Sequence, residues 1–309
     1  MPDSKKCERL ADELRRLTGL RLAGMEDEPP EETAKKLQAV LDAFREKNSR
    51  HEFFRKLLTG QIGEELGSEA ARLHLPEASR WGVLAVETDA DAVTPAQNIL
   101  RQMFAAGGYD CAVVTNARQI ALVKHLKSRE RREDLGNLAH TVVDMLNTEG
   151  MLRARAAYGP PTEGLAPLSE SFREAQTALE IGRMFYSHEN VVAYDNLSMG
   201  RLIYGLSEET CRRFLREVLG DRDIHGVDAE TQLAVDTFFE NNLNISETAR
   251  QLFIHRNTLV YRLEKLRQVT GLDIRVFEDA MTYRVASMVA SYLQGISAKD
   301  KNKLGGSHD

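Results

Sequence analysis

The spacing of leucines near the C-terminal end restricts this chain more than any other feature. Leu259, Leu263, Leu266 and Thr270 follow one another at steps of four, three and four. That period belongs to an α-helix and excludes a strand, so Arg256–Val269 is expected to be a helix with one apolar face. Thr270-Gly271 should close it, because glycine accepts the left-handed conformation that helix ends favour. Upstream, Asn244 followed three residues later by Glu247 has the pattern of a capping box and should open a short helix ending near Phe253. Ile254 then fills the turn, and His255 or Arg256 opens the next helix. A preceding helix, Glu230–Asn241, offers Leu233, Val235, Phe238 and Phe239 to a shared core. Two short helices joined by a tight turn are the layout of a helix-turn-helix.

The side of the second helix opposite the leucines carries Asn257, Thr258, Tyr261 and Lys265. Amide, hydroxyl, phenol and ammonium groups are what base edges and phosphates accept or donate to. His255 and Arg256 fall in the first turn, where a recognition helix meets the groove. Arg262 could reach flanking backbone. Asn244, Ser246 and the open N–H groups of the preceding helix suit a phosphate oxygen. The expected DNA-binding set is therefore Asn244, Ser246, His255, Arg256, Asn257, Thr258, Tyr261, Arg262 and Lys265. Charge agrees locally and not globally. The chain has a formal net charge of -6. The window Asn244–Gln268 holds five basic residues against two acidic ones, and DNA responds to potential within about 10 Å at ordinary salt.

Upstream of Asp195 the chain alternates. Thr33–Thr59 reads as one long helix with Leu37, Val40, Leu41, Phe44, Phe54, Leu57 and Leu58 at mostly helical spacing. Met25–Glu32 is acidic, carries two prolines and reads as a linker. Trp81–Glu87 is a buried-strand run, and Pro95–Ala106 a helix. Asp110–Thr115 and Gln119–Lys124 form a hairpin about Asn116-Ala117-Arg118. Ser128–Thr148 is a helix, Leu152–Tyr158 a strand, Leu168–Ser187 a helix and Val191–Tyr194 a strand. The order β-α-β-β-α-β plus one more α-β is that of a ferredoxin-like sandwich. The fold class is then α+β: an N-terminal helical region (1–75), a ferredoxin-like α/β sandwich (76–196), an all-helical helix-turn-helix domain (197–296) and a disordered tail (297–309).

The stretch NISETARQLFIHRNTLVYRLEKLRQVTGLDI resembles the C-terminal helix-turn-helix of the PucR/CdaR family of bacterial transcriptional regulators, with the core Ile254–Leu263 matched almost without interruption. The family's following helix has a counterpart in Phe277–Leu293, where Met281, Val285, Met288 and Tyr292 form the apolar stripe. Val260 stands where family members commonly carry a basic residue, which implies either the loss of a phosphate or base contact there or the reading of a thymine methyl instead. Arg50–Ile62 resembles the segment leading into the family's middle domain. Residues 81–195 resemble that domain, a degenerate relative of diguanylate cyclase domains. The resemblance spans roughly residues 50–295 and implies an effector among nutrients such as purines or sugar diacids.

Catalysis is not expected. A working cyclase needs metal-binding carboxylates at the first strand and a Gly-Gly-Asp/Glu-Glu-Phe hairpin. The hairpin here is Thr115-Asn116-Ala117-Arg118-Gln119, with no glycine pair and no acid. Glu87 and Asp89 near the first strand could hold a cation, though solvated acids at a strand end are commoner. None of the eight histidines has another four residues on. Cys7, Cys111 and Cys211 fit neither a disulfide framework nor a zinc site. No cofactor, no metal and no membrane span are expected. The partners expected are double-stranded DNA, a second copy of the chain and a small-molecule effector, in the cytoplasm. The rival readings are a catalytically weak nucleotide-binding, cyclase-like enzyme, and a small-molecule or protein-binding module without DNA binding.

Overall fold

The computed structural model describes the backbone of residues 8–15, 30–104 and 108–305, and the side chains of these except 30, 31, 42–48 and 298–305. Contacts divide the chain into two units. The first comprises Met1–Leu179 with Asn190–Asp195, and the second Glu180–Glu189 with Asn196–Asp309.

The first unit opens on helices α1 (8–15) and α2 (Pro30–Leu58). Proline at the first helical position is well placed, since its missing N–H has no intrahelical partner there. Helix α2 runs unbroken through 47–50, the gap in the apolar pattern. Leu37, Leu41, Phe54, Leu57 and Leu58 are buried as the periodicity requires, while Val40 is exposed. The side chain of Phe44, most of the linker expected at Met25–Glu32, and Cys7 lie outside the described residues.

After α3 (Leu66–Arg72) comes a mostly antiparallel sheet. Its strands are β1 (Arg80–Thr88), β2 (Cys111–Asn116), β3 (Gln119–Leu126), β4 (Ala154–Tyr158), β5 (Thr162–Glu163) and β6 (Val191–Ala193). The main path is β2-β3-β1-β4-β6, with β5 on the start of β1 and β6 parallel to β4. The first four strands have the ferredoxin-like order, so the sandwich is present. The period-2 side-chain alternation of a strand sends Leu84 and Val86 to one face, against helices α4 (Val93–Met103) and α5 (Arg132–Thr148). Trp81 points to the other face, where its ring meets Phe54 of α2 at 5.6 Å. Gly82 lets α5 close on β1: a β-carbon there would lie 2.6 Å from a Leu135 methyl. Helix α6 (Leu168–Phe185) begins in this unit and ends in the second. Contacts group residues 180–189 with the helical unit.

The second unit is helical: α7 (Ser198–Tyr204), α8 (Glu208–Leu219), α9 (Ala229–Glu240), α10 (Ile245–Gln251), α11 (Arg256–Thr270) and α12 (Phe277–Gly305). Ser207 caps α8 by accepting the Thr210 N–H, and Gly220 ends it. Neither α7 nor β5 was resolved by the sequence reading; both are too short to show a period.

Two sequence expectations need correction in this unit. Leu233 is exposed, because α9 buries the stripe Thr231, Ala234, Val235 and Phe238 and a hydrophobic reading passes over threonine and alanine. Met281 is exposed as well: α12 buries Ala280, Tyr283 and Ala286, and the two alanines carry little weight in a hydrophobic reading. Helix α12 continues through Gly305, since Ala298, Lys299, Lys301 and Leu304 favour a helix and no proline interrupts. Residues 306–309 of the expected tail lie outside the described residues.

Candidate nucleic-acid interface

Helices α9, α10 and α11 share one core. Phe238, Ala249, Leu259, Leu263 and Leu266 are buried together, with Ile254 and Leu252 packed against them. The leucine stripe thus fixes which side of α11 faces the body. Gly271 closes α11 in the left-handed conformation at φ 81°. Between α10 and α11 the chain turns in four residues. The Ile254 N–H donates to the Ala249 carbonyl at 3.0 Å, and Phe253 takes a positive φ of 53°. That puts the Phe253 ring in solvent, 96% exposed, while Ile254 turns inward.

Asn244 is the N-cap of α10. Its side-chain oxygen accepts from Ser246 N–H at 3.0 Å and Glu247 N–H at 3.1 Å. Those N–H groups had been offered to a phosphate by the sequence reading, and they are already bonded. The reciprocal half of the capping box is not made: the Glu247 carboxylate goes to Arg250 instead. Asn244→Ala should cost about 1 kcal/mol of unfolding free energy, the usual worth of such a cap, measured by urea unfolding.

His255 caps α11. Its Nδ1 accepts the Asn257 N–H at 3.2 Å, which leaves the ring proton on Nε2 as a donor. Beyond it, Arg256, Asn257 and Thr258 are exposed, and Tyr261 is 70% exposed. Among the described residues, the side chains of these four make no hydrogen bond or ion pair with the protein. Ser246 is exposed in the first turn of α10.

Two of the nine residues stand differently. The Arg262 guanidinium lies 2.5 Å from the Glu230 carboxylate, and its side chain is only 18% exposed. The Lys265 ammonium is bonded to Asp228, the N-cap of α9. Of the basic residues counted in the window, Arg250 and Arg267 pair with Glu247 and Glu264, so Arg256 is the one with no acidic partner among the described residues. The sequence reading missed Gln268. It is exposed and stands seven residues after Tyr261, two helical turns along the same face; the i+7 spacing was the available signal.

In the first unit, a cleft of about 610 Å³ opens at the end of the sheet where β1, the β2–β3 hairpin and the start of β4 meet. Its rim includes Asp89 and Arg118, whose charged groups lie 3.4 Å apart. The hairpin tip therefore brings a cation to the carboxylate at the end of β1.

Residues 233–289 match the PucR C-terminal helix-turn-helix domain, and residues 59–181 match the GGDEF-like domain. The chain is 29% identical over 182 residues to the carbohydrate diacid regulator of Escherichia coli (strain K12), an alignment covering 57% of this chain and 46% of that protein. It is 30% identical over 125 residues to the purine catabolism regulatory protein of Bacillus subtilis (strain 168), covering 40% of this chain and 23% of the relative. It is 23% identical over 250 residues to the DNA-binding transcriptional activator AdeR of the same organism, covering 72% of this chain and 55% of the relative. The chain thus spans about half the length of the curated relatives it matches, or less. No helix among the described residues is long and apolar enough to cross a membrane. The chain thus carries a PucR-type helix-turn-helix domain after a GGDEF-like domain, and the proteins it is similar to include a carbohydrate diacid regulator and a purine catabolism regulatory protein.

Proposed function

We propose that this chain is a sequence-specific DNA-binding transcriptional regulator whose helix α11 enters the major groove. One observation carries the reading: the apolar side of α11 is locked into the core while Arg256, Asn257, Thr258 and Tyr261 stand in solvent without side-chain partners among the described residues. Unsatisfied donors and acceptors on a rigid helix are ready to exchange water for base edges. Arginine suits guanine and asparagine suits adenine in that groove. Ser246 and the Nε2–H of His255 serve phosphates on either side. Asn244 contributes by holding α10 in shape.

A single recognition helix makes too few contacts for tight specific binding. The working form is a homodimer reading half-sites about one helical turn apart. Helix α2 and helix α12 are the candidate seams. The middle domain works as a transmitter and not as a cyclase. Its hairpin, Thr115–Gln119, has no acid, and the guanidinium of Arg118 neutralises Asp89. A metabolite is the signal it relays, in the cytoplasm beside the DNA.

The test is a salt titration of binding to duplex DNA. The logarithm of the affinity should fall linearly with the logarithm of salt concentration, by about 0.9 for each phosphate neutralised. Selection from a random pool should enrich one motif. A flat salt response, or a pool that stays random, overturns the reading.

A further inference from the structure

The ion pairs of α10 and α11 fall into two kinds. Arg250–Glu247 and Arg267–Glu264 join residues three apart on one helix, as on any solvated helical surface. Arg262–Glu230 and Lys265–Asp228 instead bridge two helices, thirty-two and thirty-seven residues apart in sequence. They draw both cations toward α9, away from a phosphate.

The carboxylates that hold them are themselves held. Asp228 Oδ1 accepts the Thr231 N–H at 2.9 Å, and Oδ2 accepts the Thr231 hydroxyl at 3.0 Å. Its carboxyl is kept well below the ordinary aspartate range, first by the Lys265 ammonium and then by these two bonds. Glu230 takes the Arg262 guanidinium with its carboxylate, and its backbone carbonyl lies 3.5 Å from the same side chain. The Asp228 pair is therefore preorganised by the capping geometry that starts α9. The Arg262 pair gains from the low exposure of that side chain, where water screens less.

We infer that Asp228 and Glu230 form an electrostatic latch that competes with DNA phosphates for Lys265 and Arg262, and so weakens the grip of this helix-turn-helix on DNA of any sequence. The inference rests on the DNA-binding reading above. Phosphate contacts supply nearly all of the affinity for random DNA. A protein that withholds two of them keeps its base-reading residues and sheds much of its indiscriminate binding.

The experiment uses the full chain and a 30-base-pair duplex of random sequence, in 50 to 300 mM KCl. The latch variant is Asp228→Asn with Glu230→Gln. Asparagine is as good an N-cap as aspartate, so α9 keeps its start. The control variant, Glu217→Gln with Asp221→Asn, removes the same charge from exposed positions outside the latch. Circular dichroism checks that both fold. The latch variant should bind about tenfold tighter at 50 mM KCl, and its salt slope should steepen by about one to two, roughly 0.9 for each cation released. The control should keep the wild-type slope. If wild type binds and the two variants behave alike, the latch is refuted and the DNA reading stands. If none of the three binds at 50 mM KCl, the DNA reading itself fails and the latch goes with it.

Discussion

Replacing Arg256 or Asn257 by alanine should each weaken binding to a selected operator by about 10- to 100-fold, the worth of one good bidentate base contact at about 1–3 kcal/mol. The two changes should differ on random DNA. Asn257→Ala should leave that affinity unchanged, since an amide brings no counterion release. Arg256→Ala should also make the salt slope shallower by about one, because this guanidinium has no acid to pair with among the described residues. Both side chains are exposed and remote from the leucine stripe, so urea unfolding should change by no more than about 0.5 kcal/mol. Competition binding with operator and scrambled duplexes measures the outcome. Two variants that keep the wild-type preference for operator would remove α11 as the reading helix.

The second large effect lies under the helix and not on it. Phe238 is fully buried beside Leu259 and Leu263, and Phe238→Ala should cost about 3–5 kcal/mol through lost burial and the cavity left behind. Domains are stable by only about 5–15 kcal/mol. The helix-turn-helix should then melt early, and DNA binding should vanish on warming before the rest of the chain unfolds. Leu233→Ala, five residues away on the same helix, should change stability by no more than about 0.5 kcal/mol, because that leucine lies in solvent. Unfolding followed by far-ultraviolet circular dichroism separates the two. Equal effects would mean that the buried face of α9 has been misassigned.

These two positions on α9 show where a sequence is readable and where it is not. Leu233 and Phe238 are both large and apolar, and hydrophobicity ranks them alike. Burial differs because Thr231, Ala234 and Thr237 share the contact face with Val235 and Phe238, and small or hydroxyl-bearing residues carry little weight in an apolar count. Met281 on α12 was misread in the same way. Helix α11 was legible almost residue by residue, since its leucines alone define the buried side.

The polar face was legible as a list of residue types and not as an arrangement. Asn244 was recognisable as a cap, but its oxygen bonds the same N–H groups that seemed open to phosphate. Arg262 and Lys265 read as free cations because Glu230 and Asp228 lie far away in sequence and belong to a different helix. Gln268 went unnoticed because the face was followed for two turns and not three.

Local periodicity and capping chemistry act over at most four residues, so the amino-acid order alone decided that α9, α10 and α11 exist, where they stop, and which edge of α11 is apolar. It also decided that the β2–β3 hairpin carries no acid. Electrostatic pairing acts through space between groups brought together by folding. Only the packed structure therefore decided that Arg262 and Lys265 are taken by α9, that Arg256 has no acidic partner among the described residues, and that Asp89 faces Arg118. A helix shows its period in one dimension; the partners of its charges are a property of three.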